Sequence, residues 1–404
     1  MMIKFLLPTI RAYFVSYAGL PRACWQRIEI NFINTISAGL VFFLSLYFVN
    51  TLGFTISEAG INISAYGVGT AIGGVLGGKL SDSFSPNIVS IFSLLIKALI
   101  FLALSIIQDF YLFIVCLFLL GLGSYGFTTS NNLWILDNCK GSEEIKHKTV
   151  NIIYASSNLG IGLAAIIVSL LVNKGFKYVF ILVGILLLVS VIYLILQNNK
   201  SVKHSTNDDV DGLEKDKPAT ENSKIVWLVL SCLFFTGLTI AQLNTAYPIY
   251  ISNHFPALGL HGVSILFVIN CLTIVLFQTP FVNLFKNVNK LLLVGLGAFF
   301  IGFGMFMLVF AVTFSIAIVA CIIYTIGEML FFATAQLVCY QKGVKKKRGH
   351  SLGMFQMVYA LSTIAGPAVG GFIYQNVGGT IVWYLSGLIG LLCLLTNSYF
   401  KAEY

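Results

Sequence analysis

Two ionisable residues stand inside long apolar stretches, and they are the first candidates for chemistry. Glu328 lies in the segment Tyr-Thr-Ile-Gly-Glu-Met-Leu, and it is the acidic residue that lies deepest in any such stretch. A charged side chain in hydrocarbon is costly, so such residues mark candidate functional sites. A carboxyl group there can take up and release a proton, or it can bind a cation. The sequence predicts this role for Glu328, and a protonated side chain making one structural hydrogen bond is the alternative.

Lys97 is the second ionisable residue of this kind, and it lies in the segment Leu-Leu-Ile-Lys-Ala-Leu. The favoured interpretation is a side chain bonded to the backbone or to polar groups of a neighbouring helix. A pair with Glu328 would neutralise both charges, and the sequence alone leaves that contact open.

Twelve long apolar segments carry these residues. A helix that rises 1.5 Å per residue needs about 20 apolar residues to cross a hydrocarbon core of about 30 Å. The predicted spans 1 to 12, in chain order, are 29–50, 57–80, 88–107, 110–133, 149–172, 177–197, 224–251, 259–284, 290–312, 314–338, 351–374 and 379–400.

The composition agrees with an all-α membrane protein. Hydrophobic residues make up 58% of the chain and charged residues 10%, with a mean hydropathy of +0.91. A soluble domain could not bury so much apolar surface. Membrane β-barrels have strands of about ten residues that alternate apolar with polar, whereas these segments are continuously apolar.

The net charge of +9 is distributed by side of the membrane. With the N-terminus inside, 21 of the 24 basic residues fall on the cytoplasmic side, two fall outside (Lys174 and Lys177), and Lys97 lies within a span. This distribution predicts an inner-membrane protein with both termini in the cytoplasm. Anionic lipid explains the basic loops, so no nucleic-acid partner is expected.

The chain is predicted to consist of two six-helix pseudo-repeats. Residues 198–223 form one long polar stretch with six acidic residues, typical of a solvated cytoplasmic linker. They separate an N-terminal bundle at 29–197 from a C-terminal bundle at 224–404. Residues 1–28 are predicted to be a cytoplasmic amphipathic segment. The eight cysteines lack paired spacing, so neither a disulfide nor a metal site is expected.

A motif in the loop after span 2 resembles a known family. The run from Gly78 to Ser85 reads Gly-Lys-Leu-Ser-Asp-Ser-Phe-Ser, which is similar to the Gly-x-Leu-x-Asp-x-x-Gly motif of the major facilitator superfamily. Span number and linker extend the resemblance over the whole chain. It implies the major facilitator fold, in which Gly78 and Asp82 form a lock that holds the cytoplasmic side closed in the outward-open state. Ser85 replaces the usual second glycine.

Further segments resemble the branch of that family that contains bacterial multidrug-type proton antiporters. They are Gly19-Leu20-Pro21-Arg22 and Tyr66-Gly67-Val68-Gly69. The Gly-Pro-x-x-Gly-Gly packing motif of that branch belongs in span 5, but here it occurs in span 11, as Gly366, Pro367, Gly370 and Gly371. Span 5 lacks the proline.

Polar residues on the helices that line the cavity in the family fold are candidate substrate contacts. Uncharged amides and phenols can bond a polar ligand, although structural bonds between helices are at least as common. These candidates are Asn34, Tyr125, Asn132, Gln242, Tyr247, Asn270, Tyr324 and Tyr359.

The resemblance implies a secondary active transporter, not an enzyme, that works by alternating access as a monomer without a cofactor. The lone acid and the many aromatics favour proton-coupled export of a neutral or cationic amphiphilic compound. Uptake or export of a specific metabolite, such as a siderophore, peptide or sugar, is the alternative, as is a transporter-like sensor that no longer transports. A phosphate-binding loop of the type Gly-x-x-x-x-Gly-Lys-Ser/Thr does not occur in the sequence.

Overall fold

The computed structural model describes residues 20–138, 143–198, 223–285, 288–342 and 348–401. Within these ranges the chain is helical, and twelve helices are long and apolar enough to cross a membrane. We number them α1 to α12 and divide α1 and α7 at their breaks. The helices are α1a Arg22–Gly39, α1b Val41–Leu46, α2 Ile56–Phe84, α3 Pro86–Leu104, α4 Phe110–Asn138, α5 Glu143–Leu171, α6 Phe176–Asn198, α7a Ser223–Ala241, α7b Ala246–His254, α8 Gly259–Leu284, α9 Lys290–Met307, α10 Phe314–Lys342, α11 Arg348–Asn376 and α12 Gly379–Phe400.

Local sequence signals explain where several helices begin. Thr55 and Glu58 form a capping box at the start of α2: the Thr55 hydroxyl accepts from the Glu58 N–H at 3.2 Å, and the Glu58 carboxylate accepts from the Thr55 N–H at 2.7 Å. The side chain of Asn289 caps α9 by accepting from two backbone N–H groups. Pro86 occupies the first turn of α3, where its missing N–H costs nothing.

Two expectations for the N-terminal region need correction. Helix α1a begins at Arg22, so residues 22–28 belong to the first spanning helix and not to a separate amphipathic segment. Residues 1–19, which hold the rest of that segment, lie outside the described residues. Cys24 is disulfide-bonded, contrary to the expectation of no disulfides, whereas six other described cysteines are free.

Helices α1 and α7 are both interrupted near the same depth. Leu40 separates α1a from α1b, and α1b ends in a π-helical turn, Tyr47–Thr51. In α7 a 3-10 turn, Gln242–Asn244, separates α7a from α7b. These breaks place α1b beside the α7 turn and α7b, so the first helices of the two halves contact each other.

Among the described residues, contacts between the halves gather toward one end of the helix bundle. We call the end where α6 finishes and α7a starts the linker end, and the other end the distal end. The backbone N–H of Ser57 donates to Gln375 Oε1 at 2.9 Å, which joins α2 to α11, and Ser169 Oγ lies 2.6 Å from His261 Nδ1, which joins α5 to α8. These contacts, together with those of α1b with α7, form what we call the distal seam.

Glycines bring α2 and α11 together within the distal seam. A β-carbon at Gly371 would lie 2.8 Å from the Ile56 carbonyl oxygen, and one at Gly67 would lie 3.0 Å from the Thr363 carbonyl oxygen. Nearer the linker end, a β-carbon at Gly74 or Gly78 would meet only side chains of α4, at 3.8 Å or more. Helix α2 therefore packs on the opposite half near the distal end and within its own half near the linker end.

Candidate functional site

Helices α8 and α10 position Glu328 in the C-terminal half. The Asn270 amide nitrogen donates to Glu328 Oε2 at 2.8 Å and to the Thr325 hydroxyl at 2.8 Å. Thr325 in turn donates to the Cys321 carbonyl at 2.7 Å, which fixes the hydroxyl as an acceptor for Asn270. Both amide hydrogens of Asn270 are thus used, and Glu328 receives its hydrogen bond from a neutral donor.

One face of α10 becomes more exposed toward the linker end. Cys321 and Thr325 are buried, Glu328 and Phe332 are half-buried, and Gln336 is exposed. These residues are three or four apart, so they lie on one face of the helix. Exposure on this face therefore begins at Glu328 and increases toward the linker end. We call the space beside this exposed part of α10 the linker-end cleft.

Aromatic rings close the space between the halves on the distal side of Glu328. Phe42 and Phe43 of α1b contact the Phe267 ring of α8, with centroids 4.8 and 5.4 Å apart. Phe267 also lies 6.1 Å from the Tyr247 ring, which lies 6.1 Å from that of Tyr324. Because Phe267 precedes Asn270 by about one turn of α8, this layer separates the Glu328 carboxyl group from the distal end.

Exposed polar and aromatic side chains occur on helices of both halves toward the linker end. In α4, Tyr125 is 42% exposed, Asn132 is exposed and Thr129 is half-buried; their spacing of four and three residues puts them on one face. On the other side, the half-buried Tyr359 ring of α11 meets the Phe332 ring edge to face, 5.3 Å between centroids. The C-terminal half thus offers the cleft an aromatic pair and one carboxyl group, and the exposed α4 face adds uncharged polar groups on the N-terminal half.

Lys97 is placed in the interior of the N-terminal half. Its ammonium donates to Asn34 Oδ1 at 2.5 Å and to the Asn34 carbonyl at 3.3 Å, which ties α3 to α1a. Its aliphatic stem crosses α4 at Gly123, where a β-carbon would lie 2.8 Å from Lys97 Cγ. Lys97 and Glu328 therefore each have partners within their own half.

Four of the predicted cavity residues do not reach the cleft. Asn34, Gln242, Tyr247 and Tyr324 are all buried. Gln242 points away because its amide nitrogen donates to the carbonyls of Leu238 and Gly366, each at 2.9 Å. The rotation of each helix decides which face meets the cleft, and helical periodicity leaves that rotation uncertain. Asn270 is also buried, at 9% exposure, but it contacts Glu328 directly.

The two predicted motifs occupy different places. In α11, a β-carbon at Gly366 would lie 2.5 Å from the Ala241 β-carbon, so this residue packs on α7a, whereas Pro367 and Gly371 face α2 of the other half. Gly370 lies against the Gln242 side chain. In α2, Gly78 is half-buried beside Thr129, and the side chain of Asp82 lies outside the described part of the chain.

Thr325 and Phe332 were not among the predicted site residues. Thr325 lies three residues before Glu328 and Phe332 four residues after it, so helical spacing from Glu328 would have found both. Over the described ranges, no group of three or more His, Cys, Asp or Glu side chains is placed to hold a metal ion.

Residues 30–367 match the family model described as Major Facilitator Superfamily. The chain belongs to the Major Facilitator Superfamily. Among relatives of this superfamily member are two MFS-type transporters of Bacillus subtilis (strain 168): YttB is 24% identical over 89% of this chain and 90% of its own length, and YqjV is 22% identical over 87% and 86%.

Solved structures show the same fold. The peptide transporter POT, in a mutant form in complex with sulfate, aligns with a TM-score of 0.82 over 96% of this chain and 95% of its own, at 15% identity. The nucleoside transporter NupG aligns with a TM-score of 0.74 over 95% of this superfamily member and 100% of its own chain, also at 15% identity. The predicted all-α fold with twelve membrane-spanning helices is confirmed.

Proposed function

We propose that this superfamily member is a secondary active transporter that exports an amphiphilic compound in exchange for protons, with Glu328 as the coupling group. The observation that supports this most is the position of Glu328. Its half-buried carboxyl group lies where the packed interior meets the linker-end cleft, directly beyond the aromatic layer that closes the distal side.

The proposed orientation follows from charge. If the basic loops mark the cytoplasm, the linker end is cytoplasmic and the distal seam faces outward. The described conformation is then inward-open, and Glu328 communicates with the cytoplasm. Separation of the distal seam would expose the same carboxyl group to the outside, as alternating access requires. Gly78 and Asp82 are proposed to hold the cytoplasmic side closed in that second conformation.

The coupling step needs a carboxyl group whose proton can be exchanged. A carboxylate held by a cationic side chain would resist protonation, whereas Glu328 receives its hydrogen bond from the neutral Asn270 amide. We propose that Glu328 takes up a proton from the outer side and gives it up to the cytoplasm or to a competing substrate cation. The adjacent rings of Phe332 and Tyr359 would supply apolar contact to the compound.

A second candidate is transport of a specific polar metabolite. Helix α4 offers a face of uncharged hydrogen-bonding groups, formed by Tyr125, Thr129 and Asn132. Such groups suit a polar, neutral molecule better than a hydrophobic cation. For either function we propose a monomer embedded in membrane lipid.

The first experiment compares transport by wild type, Glu328→Gln and Glu29→Gln in cells, with candidate compounds followed inside and outside. Glu29 is an exposed acid on α1a, so Glu29→Gln is the control for loss of one negative charge. We expect wild type and Glu29→Gln to move a compound uphill until an uncoupler is added. Glu328→Gln should lose uphill transport.

Different results would overturn different parts of the proposal. Uphill transport by Glu328→Gln at the wild-type rate would exclude Glu328 as the coupling group. Transport that is insensitive to the uncoupler in every variant would indicate a facilitator. Exclusive transport of one polar metabolite would favour the second candidate.

A further inference from the structure

A buried arginine lies at the linker end of the N-terminal half. Arg27 of α1a is 2% exposed, and its Nη2 donates to Asn87 Oδ1 of α3. The face of its guanidinium group lies over the Trp134 ring of α4, with Cζ 4.1 Å from the ring centroid. Three helices thus enclose one cation, and both of these contacts are with uncharged groups.

The guanidinium group of Arg27 has nitrogens to spare. Within the part of the chain that the structure describes, Nε and Nη1 are buried and have no hydrogen-bond partner. A guanidinium group remains charged in proteins, and stacking on an indole ring uses its face but not its N–H groups. A buried charge is stable only when it is paired and hydrogen-bonded. The free N–H groups of Arg27 therefore require an anion.

The beginning of α3 adds to the positive potential around Arg27. Asn87 is the second residue of that helix, and Ser85 at its N-cap makes no side-chain hydrogen bond to it. The first N–H groups of a helix lack helical partners and carry partial positive charge, which makes a helix N-terminus suitable for an anion. Because Arg27 is bonded to the first turn of α3, both features act at one place.

The depth and the neighbours of this place suit the head group of a lipid. Arg27 lies five residues after the start of α1a, and Trp134 lies four residues before the end of α4. A rise of 1.5 Å per residue puts both within about 8 Å of the helix ends, at the depth of the membrane interface. Beside the buried Asn87, Ile88 and Phe92 are 39% and 60% exposed, one turn apart on α3. They offer an apolar surface to acyl chains next to the charged site.

We propose that Arg27 and the N-terminus of α3 bind a phosphate group, supplied by an anionic phospholipid or by free phosphate. Phosphate oxygens match the N–H groups of a guanidinium, and basic pockets between membrane helices bind lipid head groups. The neighbouring apolar surface favours the lipid as the source. The N–H groups are enclosed in this conformation, so binding displaces the side chains that cover them. The site lies apart from Glu328, and it goes beyond the proposed function.

The test measures thermal unfolding of purified full-length protein in detergent. One comparison adds phosphatidylglycerol or phosphatidylcholine, in which a choline cation offsets the phosphate charge, and the other adds sodium phosphate or sodium chloride at equal ionic strength. A ligand that binds only the folded state raises the melting temperature. We expect phosphatidylglycerol to raise that of wild type by about 3 °C over phosphatidylcholine. Native mass spectrometry should show phosphatidylglycerol retained on the protein.

Asn87→Asp is the decisive variant, because it offers Arg27 a carboxylate from within the protein. A negative charge is also favourable in the first turn of α3. This variant should melt at a higher temperature than wild type without lipid, and it should lose the response to phosphatidylglycerol. Arg22→Gln is the matched control for charge: Arg22 is exposed on α1a, so this variant should keep the full response.

The remaining outcomes decide the source of the phosphate or overturn the site. A rise with sodium phosphate that equals the rise with phosphatidylglycerol, and that Asn87→Asp abolishes, would support the site and assign it to free phosphate. Equal responses of wild type and Asn87→Asp would overturn the proposal, because the lipid would then act elsewhere. A wild type that responds to neither probe would overturn it as well. None of these results depends on proton-coupled transport.

Discussion

Among the described residues, one neutral donor holds the Glu328 carboxyl group, and this arrangement suits the proton exchange proposed for it. Asn270 donates to it without contributing charge. Loss or gain of a proton therefore breaks no ion pair, and the Asn270–Thr325 hydrogen bond holds the amide in place throughout. The carboxyl group can change its charge while the helices that carry it stay packed.

Lys97 illustrates the opposite use of a buried charge. Its ammonium has two oxygen acceptors, both from Asn34, and its stem fills the space above Gly123. The group is fully buried, so no substrate can reach it in this conformation. It contributes by joining α1a, α3 and α4 into one body.

Ser85 adopts a backbone conformation that suits glycine. Its φ of 91° with ψ of 140° lies in a region that side chains disfavour by about 1–3 kcal/mol. Replacement by glycine removes this strain but adds about 0.5–1 kcal/mol of unfolded-state entropy. We expect Ser85→Gly to raise the free energy of unfolding by about 1 kcal/mol, measured as a higher melting temperature in detergent.

The control for Ser85→Gly is Ser83→Gly, two residues earlier in α2. Ser83 is exposed and helical, so glycine there should lower stability by about 0.5–1 kcal/mol. Opposite signs at the two positions would support the strain at Ser85. A lower melting temperature for both variants would contradict it.

At the scale of elements, the contact between α2 and α11 depends on the absence of side chains. A methyl group at Gly371 would approach the Ile56 carbonyl to 2.8 Å, closer than ordinary packing allows. We expect Gly371→Ala to hinder closure of the distal seam and to increase the population of the opposite conformation. Labelling of a single cysteine placed at Ser57 with a water-soluble maleimide should therefore become faster.

Gly74→Ala is the matched control on α2. A β-carbon there would meet nothing closer than 3.9 Å, so neither closure nor labelling should change. Equal labelling rates in Gly371→Ala and Gly74→Ala would show that the glycine contact does not govern closure.

The sequence predicted the elements better than their details. Twenty-residue apolar runs identify spanning helices because transfer into hydrocarbon depends on average composition. The start of α1a was missed because Arg22 and Arg27 suggested a surface segment, whereas the Arg27 side chain is buried, lies over the Trp134 ring and donates to Asn87. The break at Gln242 was missed because hydropathy averages over residues and carries no information on single hydrogen bonds.

The candidate site was predicted in part for a related reason. A lone acid in an apolar run is visible in the sequence, so Glu328 could be named, and polar residues on α8 made Asn270 a candidate. Their pairing depends on the rotation of α8 against α10, which packing of all the helices decides. Tyr247, Tyr324 and Tyr125 are all tyrosines within apolar segments. The sequence alone therefore could not show that the first two are buried and the third is exposed.

At the scale of the whole molecule, the distal seam should govern alternation between two conformations. Ser169 and His261 lie on different halves with their polar atoms 2.6 Å apart. We expect a disulfide in Ser169→Cys/His261→Cys, made in a background without the native cysteines, to stop transport because the seam cannot open. Reduction should restore it, as measured by substrate movement in cells.

The control disulfide joins Ser90→Cys to Ser130→Cys. These hydroxyls lie 2.9 Å apart but belong to α3 and α4 of the same half. Cross-linking them should leave transport unchanged, since rigid-body motion of the halves does not separate them. Continued transport with the Ser169–His261 cross-link in place would contradict a seam that opens.

The distal seam has one more consequence, which concerns the solution around the protein. In this seam glycines pack against backbone carbonyls and aromatic rings pack against each other. Hydrogen bonds join Ser57 to Gln375 and Ser169 to His261. None of these contacts is an ion pair, and contacts of this kind are screened little by dissolved salt. We therefore expect changes in ionic strength to leave the opening of the distal seam itself largely unaffected.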